Sequence, residues 1–222
     1  MLNRVGFGGC IFIVFLFSCR NIEEPTAYGQ EYFPLSVGSV WVYEVDSIVY
    51  DDFSDKDSAI FHFFKKEEIT SSFEPLEGGG TTFIVDVLHR RDSTASWKYV
   101  KSIHKSLDTY RAYATEHNVK RVPLVFPIKD RKSWDPNQLN TLDEQRYRYL
   151  QVGNSASVFG KSYESSIYVE QEVDSNFFQT IKKWERYAPN VGLIEKRFNY
   201  IEATEKGDVG VKYYWQLTSF KS

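Results

Sequence analysis

The sequence predicts a mainly β protein: one antiparallel sheet of about ten strands with at most one or two short helices. Apolar and polar residues alternate with a period of two along most of the chain, which is the pattern of half-buried strands. Gly, Asp, Asn and Ser separate these runs at short intervals. Helical spacing is scarce, and residues 137–147 offer the best short helix. Short connections between successive strands favour an antiparallel meander over parallel βαβ units.

The first eighteen residues predict a lipoprotein signal peptide. Arg4 precedes an apolar run over residues 5–17, which is shorter than the roughly 20 residues of a membrane-spanning helix. Leu16-Phe17-Ser18-Cys19 then resembles the bacterial lipobox, whose cysteine becomes lipidated after cleavage. We therefore predict that Cys19 carries acyl chains that anchor the protein to a membrane. The alternative is an uncleaved N-terminal anchor with a buried cysteine.

The two cysteines and the single methionine, Cys10, Cys19 and Met1, all belong to this N-terminal segment. Cleavage and lipidation would leave no thiol for a disulfide and little for oxidants to attack. This fits a bacterial envelope protein, and we expect an outer-membrane lipoprotein on the periplasmic or the surface face. Residues 19–31 read as the lipidated cysteine and a flexible tether. Its Glu23-Glu24 pair resembles surface-export signals of Bacteroidota lipoproteins, or is a solvated linker.

Residues 32–222 predict a single β-rich domain. Pro123 and Pro127 exclude a regular central strand between them, so residues 118–145 are predicted as a crossover between about five strands on either side. The alternating faces are Trp41, Tyr43 and Val45; Phe83, Val85 and Val87; Trp97, Tyr99 and Ile103; Ile167, Val169 and Val173; and Val211, Tyr213, Trp215 and Leu217.

Three segments resemble uncharacterised Bacteroidota envelope lipoproteins. The first is Tyr32-Phe33-Pro34-Leu35 with Gly38 and Trp41-Val42-Tyr43, and the second is Leu124-Val125-Phe126-Pro127-Ile128 followed by Trp134. The third is the Tyr-Ala-Pro-x-x-Gly-Leu-Ile segment at residues 187–194. The resemblance implies a strongly curved antiparallel sheet, a half-barrel or open barrel comparable to those of the LolA type. It implies no activity.

Composition and motifs exclude several functions. A net charge of −3 does not suit a nucleic-acid binder, because such proteins neutralise phosphates with basic side chains. The four histidines show no zinc-binding spacing, and no Gly-x-Ser-x-Gly elbow is present. We therefore expect no metal, no cofactor and no catalytic residue, and we expect that the protein is not an enzyme.

Three polar motifs have simpler interpretations than a functional site. Glu170 and Glu172 would lie about 7 Å apart on one strand face, a spacing near that of inverting glycosidases, but a solvated outer face explains them. Gly78-Gly79-Gly80 precedes a strand and not a helix, so it is a hairpin turn and not a phosphate loop. Lys65-Lys66-Glu67-Glu68 is interpreted as an exposed, balanced run of charges.

The aromatic residues carry the remaining functional hint, since they make up 17% of the chain. Most large rings belong to the core of a small domain, although a concave sheet lined by rings could also bind a ligand. The candidate ligand-lining residues are Trp41, Tyr43, Trp97, Tyr99, Trp134, Trp184 and Trp215. We expect Trp134 to lie outside the core, because it sits in a loop flanked by prolines.

These observations leave three functions open. The first is a non-enzymatic envelope lipoprotein that binds a lipid or other hydrophobic ligand, a glycan or a partner protein on its curved sheet. The second is a structural or assembly subunit of an envelope complex. The third, less supported, is an enzyme that acts on glycan or lipid.

Overall fold

The computed structural model describes residues 28–51, 58–76 and 80–222. The signal peptide, Cys19, Glu23-Glu24, the turn at residues 52–57 and Gly78-Gly79 lie outside the described residues. The strands are β1 (Val40–Tyr50), β2 (Ser58–Phe73), β3 (Thr82–Arg90), β4 (Lys98–Leu107), β5 (Arg111–Glu116), β6 (Val119–Val125), β7 (Ser133–Trp134), β8 (Tyr147–Val158), β9 (Lys161–Ser175), β10 (Gln179–Ala188), β11 (Gly192–Thr204) and β12 (Gly207–Lys221).

Within these residues, twelve strands form one curved antiparallel sheet in the order β6-β5-β4-β3-β2-β1-β12-β11-β10-β9-β8-β7. The predicted mainly β fold with a single strongly curved antiparallel sheet is confirmed. Pairing of β1 with β12 joins the first and last strands of the chain at the centre of the sheet. The sheet curls until its two edge strands, β6 and β7, approach each other, so the fold is a nearly closed barrel.

Hydrogen bonds cross the gap between the two edge strands. The indole nitrogen of Trp134 on β7 donates to the carbonyl oxygen of Val122 on β6 at 2.8 Å. The amide nitrogen of Val122 in turn donates to the carbonyl oxygen of Pro136 at 2.9 Å. These bonds satisfy edge groups that would otherwise be exposed for pairing with another chain. Pro123 fits here, because an edge strand tolerates a residue without an amide hydrogen.

The segment before β1 packs against one end of the barrel. A 3-10 helix (Gln30–Tyr32) begins it, and the side chains of Tyr32 and Phe33 are buried. The carbonyl oxygen of Glu31 accepts a hydrogen bond from the amide of Asn190 at 2.7 Å, in the turn between β10 and β11. Tyr32 and Phe33 are therefore part of the core of the barrel.

The interior side chains form two apolar clusters. One is built largely from β5, β6, β8 and β9 with Tyr32 and Phe33, and the other largely from β1 to β4 with Ile194 and Leu217. Three predicted faces are confirmed as interior: Trp41, Tyr43 and Val45; Val85 and Val87, with Phe83 packed beside them; and Tyr213, Trp215 and Leu217, with Val211 half-buried.

Two predicted faces are interior only in part, and β-bulges are the reason. Val100 is an extra residue in β4 opposite β3, so Tyr99 lies on the surface although Ile103 is buried. Ile167 and Val169 are buried as predicted, but Gln171 is an extra residue in β9 opposite β10, and Val173 is exposed beyond it. Each bulge shifts the alternation by one residue, which a strict period of two does not anticipate.

Residues 137–147 are not helical, so that expectation is wrong. Asp135, Asn137 and Asn140 hold this segment as a loop. The Asp135 carboxylate accepts from the amides of Asn137 and Gln145, and the Asn140 side chain binds the carbonyl oxygen of Lys120. Such side-chain bonds to the backbone compete with helix formation.

The described residues contain no helix long and apolar enough to cross a membrane.

Candidate functional site

A cavity of about 340 Å³ lies inside the barrel. Phe33, Pro34 and Leu35 line it from the segment before β1. Lys101 and Glu116 line it too, and their side chains form an ion pair while remaining 33% and 47% exposed. These two side chains therefore lie where the cavity wall meets solvent, whereas Phe33, on another part of the wall, is buried.

Aromatic rings form much of the cavity wall. Trp41 and Tyr43 project from β1, and Tyr213 and Trp215 project from β12 beside them, with Tyr213 stacked on Trp215. The Trp41 indole donates to the carbonyl oxygen of Val191 at 2.6 Å, and the Tyr43 hydroxyl donates to that of Leu193 at 3.0 Å. Because internal bonds use these donors, both residues offer mainly ring surface to the cavity.

Three charged side chains form a buried cluster on one wall. Lys65 and Glu67 project inward from β2, and both are more than 90% buried. The Glu67 carboxylate accepts from the Lys65 ammonium at 2.5 Å and from the Lys105 ammonium of β4 at 2.7 Å. The Lys65 ammonium also lies 3.6 Å from the centroid of the Trp215 ring, a cation–π contact. We call these three charged residues the Glu67 cluster.

A second buried ion pair lies on another wall of the cavity. The Lys196 ammonium of β11 donates to the Glu185 carboxylate of β10 at 2.7 Å. The hydroxyl of Tyr187 donates to the other oxygen of that carboxylate at 2.6 Å. Burial by itself lowers the pKa of Lys196, but the attraction of Glu185 outweighs it and raises that pKa above its ordinary value. This pair is matched in charge.

The Glu67 cluster is not matched in charge. Burial by itself would raise the pKa of Glu67, but Lys105 and Lys65 outweigh it and hold that pKa well below its ordinary value. Burial lowers the pKa of Lys65 to about 8; the attraction of Glu67 offsets this in part, and repulsion from Lys105 and Lys196 adds to the lowering. Two ammonium groups therefore share one buried carboxylate.

Comparisons with known proteins give similarities of fold. No protein-family model and no curated protein matches the sequence. One similar solved structure is a presumed exported protein with a YmcC-like fold from Bacteroides fragilis: 11% identity, TM-score 0.46, covering 86% of this chain and 99% of that one. Another is a presumed lipoprotein from Parabacteroides distasonis: 12% identity, TM-score 0.46, covering 86% and 98%. Identities this low carry no information about a ligand.

Three of the seven candidate ligand-lining residues line the cavity: Trp41, Tyr43 and Trp215. The other four lie elsewhere. Trp97 packs against the guanidinium of Arg90 and the ammonium of Lys66, and Tyr99 is 62% exposed. The ring of Trp134 contacts that of Tyr149 in the core near the edge strands. Trp184 is buried between the rings of Tyr168 and Tyr214.

The sequence interpretation missed the charged residues of the cavity. Lys65-Lys66-Glu67-Glu68 is not an exposed run, because Lys65 and Glu67 are buried while Lys66 and Glu68 face outward. The signal that could have shown this is the alternation itself, since Ile69 follows Lys65 and Glu67 on one face of β2 and is fully buried.

The other polar motifs show no paired arrangement. Glu170 binds Arg148 and Glu172 binds Lys183, so each carboxylate has its own cation. The bulge at Gln171 separates them, and they do not form the pair on one strand face that a regular strand would give.

In the described part of the chain, no group of three His, Cys, Asp or Glu side chains is arranged to hold a metal ion.

Proposed function

We propose that this protein is a non-enzymatic, membrane-anchored envelope lipoprotein that binds a small hydrophobic or glycan ligand inside its barrel. The observation that carries the proposal is the cavity of about 340 Å³. Its volume falls within the roughly 300–1,000 Å³ range of ligand pockets, and its wall combines many apolar rings with a few polar groups. A barrel interior filled by its own side chains would have offered no such space.

The packing around the cavity supports a preformed site. Val87 and Ile103 belong to the cavity wall and to one apolar cluster, and Phe33 and Tyr187 belong to the wall and to the other. The space therefore lies between two packed cores. Binding there would require little ordering of the protein, which lowers the free-energy cost of association.

The anchor is proposed from the sequence alone. An apolar run followed by Leu16-Phe17-Ser18-Cys19 is the arrangement that directs lipidation, and the acyl chains on Cys19 would hold the barrel at a membrane of the envelope. We propose the outer membrane as this site. Labelled palmitate should be incorporated into the wild type and into Cys10→Ala but not into Cys19→Ala. Label that persists in Cys19→Ala would contradict the anchor.

Ligand binding is tested by filling the cavity. Ala114 lines the cavity from β5, so Ala114→Trp should occupy its volume, whereas Ala59→Trp adds the same ring to an exposed position of β2. We expect native mass spectrometry of the purified protein to show a bound small molecule in the wild type and Ala59→Trp, and none in Ala114→Trp. Absence of any small molecule from the wild type, or equal retention by Ala114→Trp, would contradict the proposal.

A second function, an assembly subunit of an envelope complex, is favoured by a different observation. Phe177 and Phe178, in the turn between β9 and β10, are 97% and 77% exposed, and Val173 nearby is 58% exposed. Exposed apolar side chains grouped in this way are typical of contact surfaces. Under this alternative, Phe177→Ser with Phe178→Ser would release a co-purifying protein and leave any small molecule bound.

A further inference from the structure

The charged side chains of the cavity wall sum to a surplus of positive charge. Four lysines and three glutamates of the described residues line the cavity. Lys101 pairs with Glu116 and Lys196 pairs with Glu185, which leaves Lys65 and Lys105 to share Glu67. One ammonium charge in the Glu67 cluster is therefore without a carboxylate of its own.

Glu116 also acts on Lys65 from across the cavity, but its carboxylate is already paired with Lys101. Trp41 and Tyr43 face the Glu67 cluster from β1, Trp215 from β12 and Phe33 from the N-terminal segment, and all four are uncharged. Burial raises the pKa of the Tyr43 hydroxyl well above its ordinary value, so that group stays neutral. An unmatched charge is unfavourable in a buried site, and an anion that enters the cavity would compensate it.

His89 does not change this balance. It lines the cavity from β3, and burial together with the nearby Lys65 and Lys101 lowers its pKa below the ordinary value of 6.5. The imidazole is therefore neutral at pH 7 and leaves the surplus at one charge.

We propose that the ligand of this cavity is an amphipathic monoanion, whose charged group lies against Lys65 and Lys105 and whose apolar body packs on Trp41 and Trp215. This inference rests on the proposed function, because it names the chemical class of the ligand that the cavity takes. A carboxylate or comparable anion would form charge-assisted hydrogen bonds with the two ammonium groups. A neutral sugar is less well matched, since Trp41, Tyr43 and Tyr187 already donate to protein acceptors.

The test compares decanoate with 1-decanol, which has the same chain and no charge, and with galacturonate, which has the charge and no chain. Binding is measured at pH 7 by the change in tryptophan fluorescence, because Trp41 and Trp215 line the cavity. We expect decanoate to bind about tenfold or more tightly than decanol, which is the effect of a hydrogen bond to a charged group. We expect no measurable binding of galacturonate.

Two variants of neighbouring lysines test whether Lys65 is the residue that binds the anionic group of the ligand. Lys65→Gln removes the surplus charge and leaves Lys105 paired with Glu67, so it should weaken decanoate binding about tenfold and leave decanol binding unchanged. Lys66→Gln is the matched control, because Lys66 lies on the outer face of the same strand and pairs with Glu68. It should alter neither affinity. Circular dichroism checks that each variant is folded, and Lys105→Gln replaces Lys65→Gln if the latter is not.

The possible outcomes distinguish a failure of this inference from a failure of the proposed ligand-binding function. Equal affinities for decanoate and decanol would contradict the inference that the ligand is an anion, but would leave the proposal of a ligand-binding cavity intact. Binding of galacturonate in preference to decanoate would contradict the inference that the ligand has an apolar body. Binding of none of the three probes would overturn the inference, and the co-purification experiment with Ala114→Trp would then decide the proposed function by itself.

Discussion

The hydroxyl group of Tyr149 lies 2.9 Å from both the amide nitrogen and the carbonyl oxygen of Val125. It accepts a hydrogen bond from the first and donates one to the second, so a side chain of β8 takes the place of a strand partner for the edge strand β6. Tyr149 is fully buried, and Val125 is 7% exposed. These two bonds join parts of the sheet that the strand ladder leaves unpaired.

Tyr149→Phe should open this junction. The variant keeps the ring but leaves two buried backbone groups of Val125 without a partner, which costs about 1–3 kcal/mol of unfolding free energy. Urea unfolding measures the loss, and hydrogen exchange at the Val125 amide should accelerate. Tyr99→Phe is the control, since the Tyr99 hydroxyl bonds Ser102 on the surface and should change stability little. Equal stability of Tyr149→Phe and wild type would contradict the role of the junction.

Gly210 is predicted to be much less tolerant of substitution than Gly207. The two residues have almost the same φ, +137° and +138°, which L side chains rarely adopt. A Cβ at Gly210 would overlap the carbonyl oxygen of Tyr200, whereas one at Gly207 would meet nothing within 4 Å. Both alanine variants therefore carry the backbone cost, about 1 kcal/mol, and only Gly210→Ala adds steric overlap.

Thermal unfolding should show this difference. The Gly210→Ala variant should lose about 2 kcal/mol or more of unfolding free energy, because the overlap can be relieved only by moving the backbone of β11 or β12. Gly207→Ala, the matched control, should lose about half as much. Equal melting temperatures would mean that β12 shifts to relieve the overlap at no cost.

The buried carboxylates predict sensitivity to acid. The pKa values of Glu67 and Glu185 lie below the ordinary value of 4.5, because lysines outweigh the opposing effect of burial. The unfolded chain therefore takes up protons at a higher pH than the folded protein does. The stabilisation is present above about pH 4.5 and is lost as the pH falls through the folded pKa values.

Urea midpoints between pH 6 and pH 3 measure this loss. Glu67→Gln should be less stable than wild type at pH 6 and should lose less stability on acidification. Glu164→Gln, at an exposed position of β9, controls for the loss of one carboxylate. A pH dependence of Glu67→Gln as steep as that of wild type would contradict the prediction.

The affinity for decanoate should fall at alkaline pH. Lys65 has a pKa of about 8 in the free protein, and an anion beside it favours its protonated form. The titratable and charged groups that face it are Glu67, Glu116, Lys105, Lys196 and His89, and the rings are those of Tyr43 and Trp215.

Titration of probe binding from pH 6.5 to pH 9.5 tests this linkage. Affinity should be nearly constant below pH 7 and should decrease about tenfold as Lys65 loses its proton, while a carboxylate probe stays ionised throughout. Lys65→Gln should bind weakly with little change over this range, and 1-decanol should show no pH dependence. A wild-type affinity that is constant up to pH 9.5 would exclude Lys65 as the group that binds the anion.

Most of the strands could be predicted from the sequence, because alternation is a local property. Trp41, Tyr43 and Val45 point inward as their spacing predicts, and so do Val85 and Val87. The direction of a side chain is predicted wrongly where pairing with a neighbouring strand introduces a β-bulge. Bulges at Val100 and Gln171 exist because the partner strand pairs across one extra residue, and no feature of either segment alone indicates that.

The sequence by itself determined the β class, the antiparallel order and the aromatic inner face of β1, since these depend on side-chain alternation and short turns. The tertiary structure alone decided that the sheet nearly closes and that Lys65, Glu67 and Lys105 meet inside it. Lys105 lies 38 positions beyond Glu67 in the chain. The charge surplus of the cavity is thus a property of strands brought together by curvature, and no local pattern contains it.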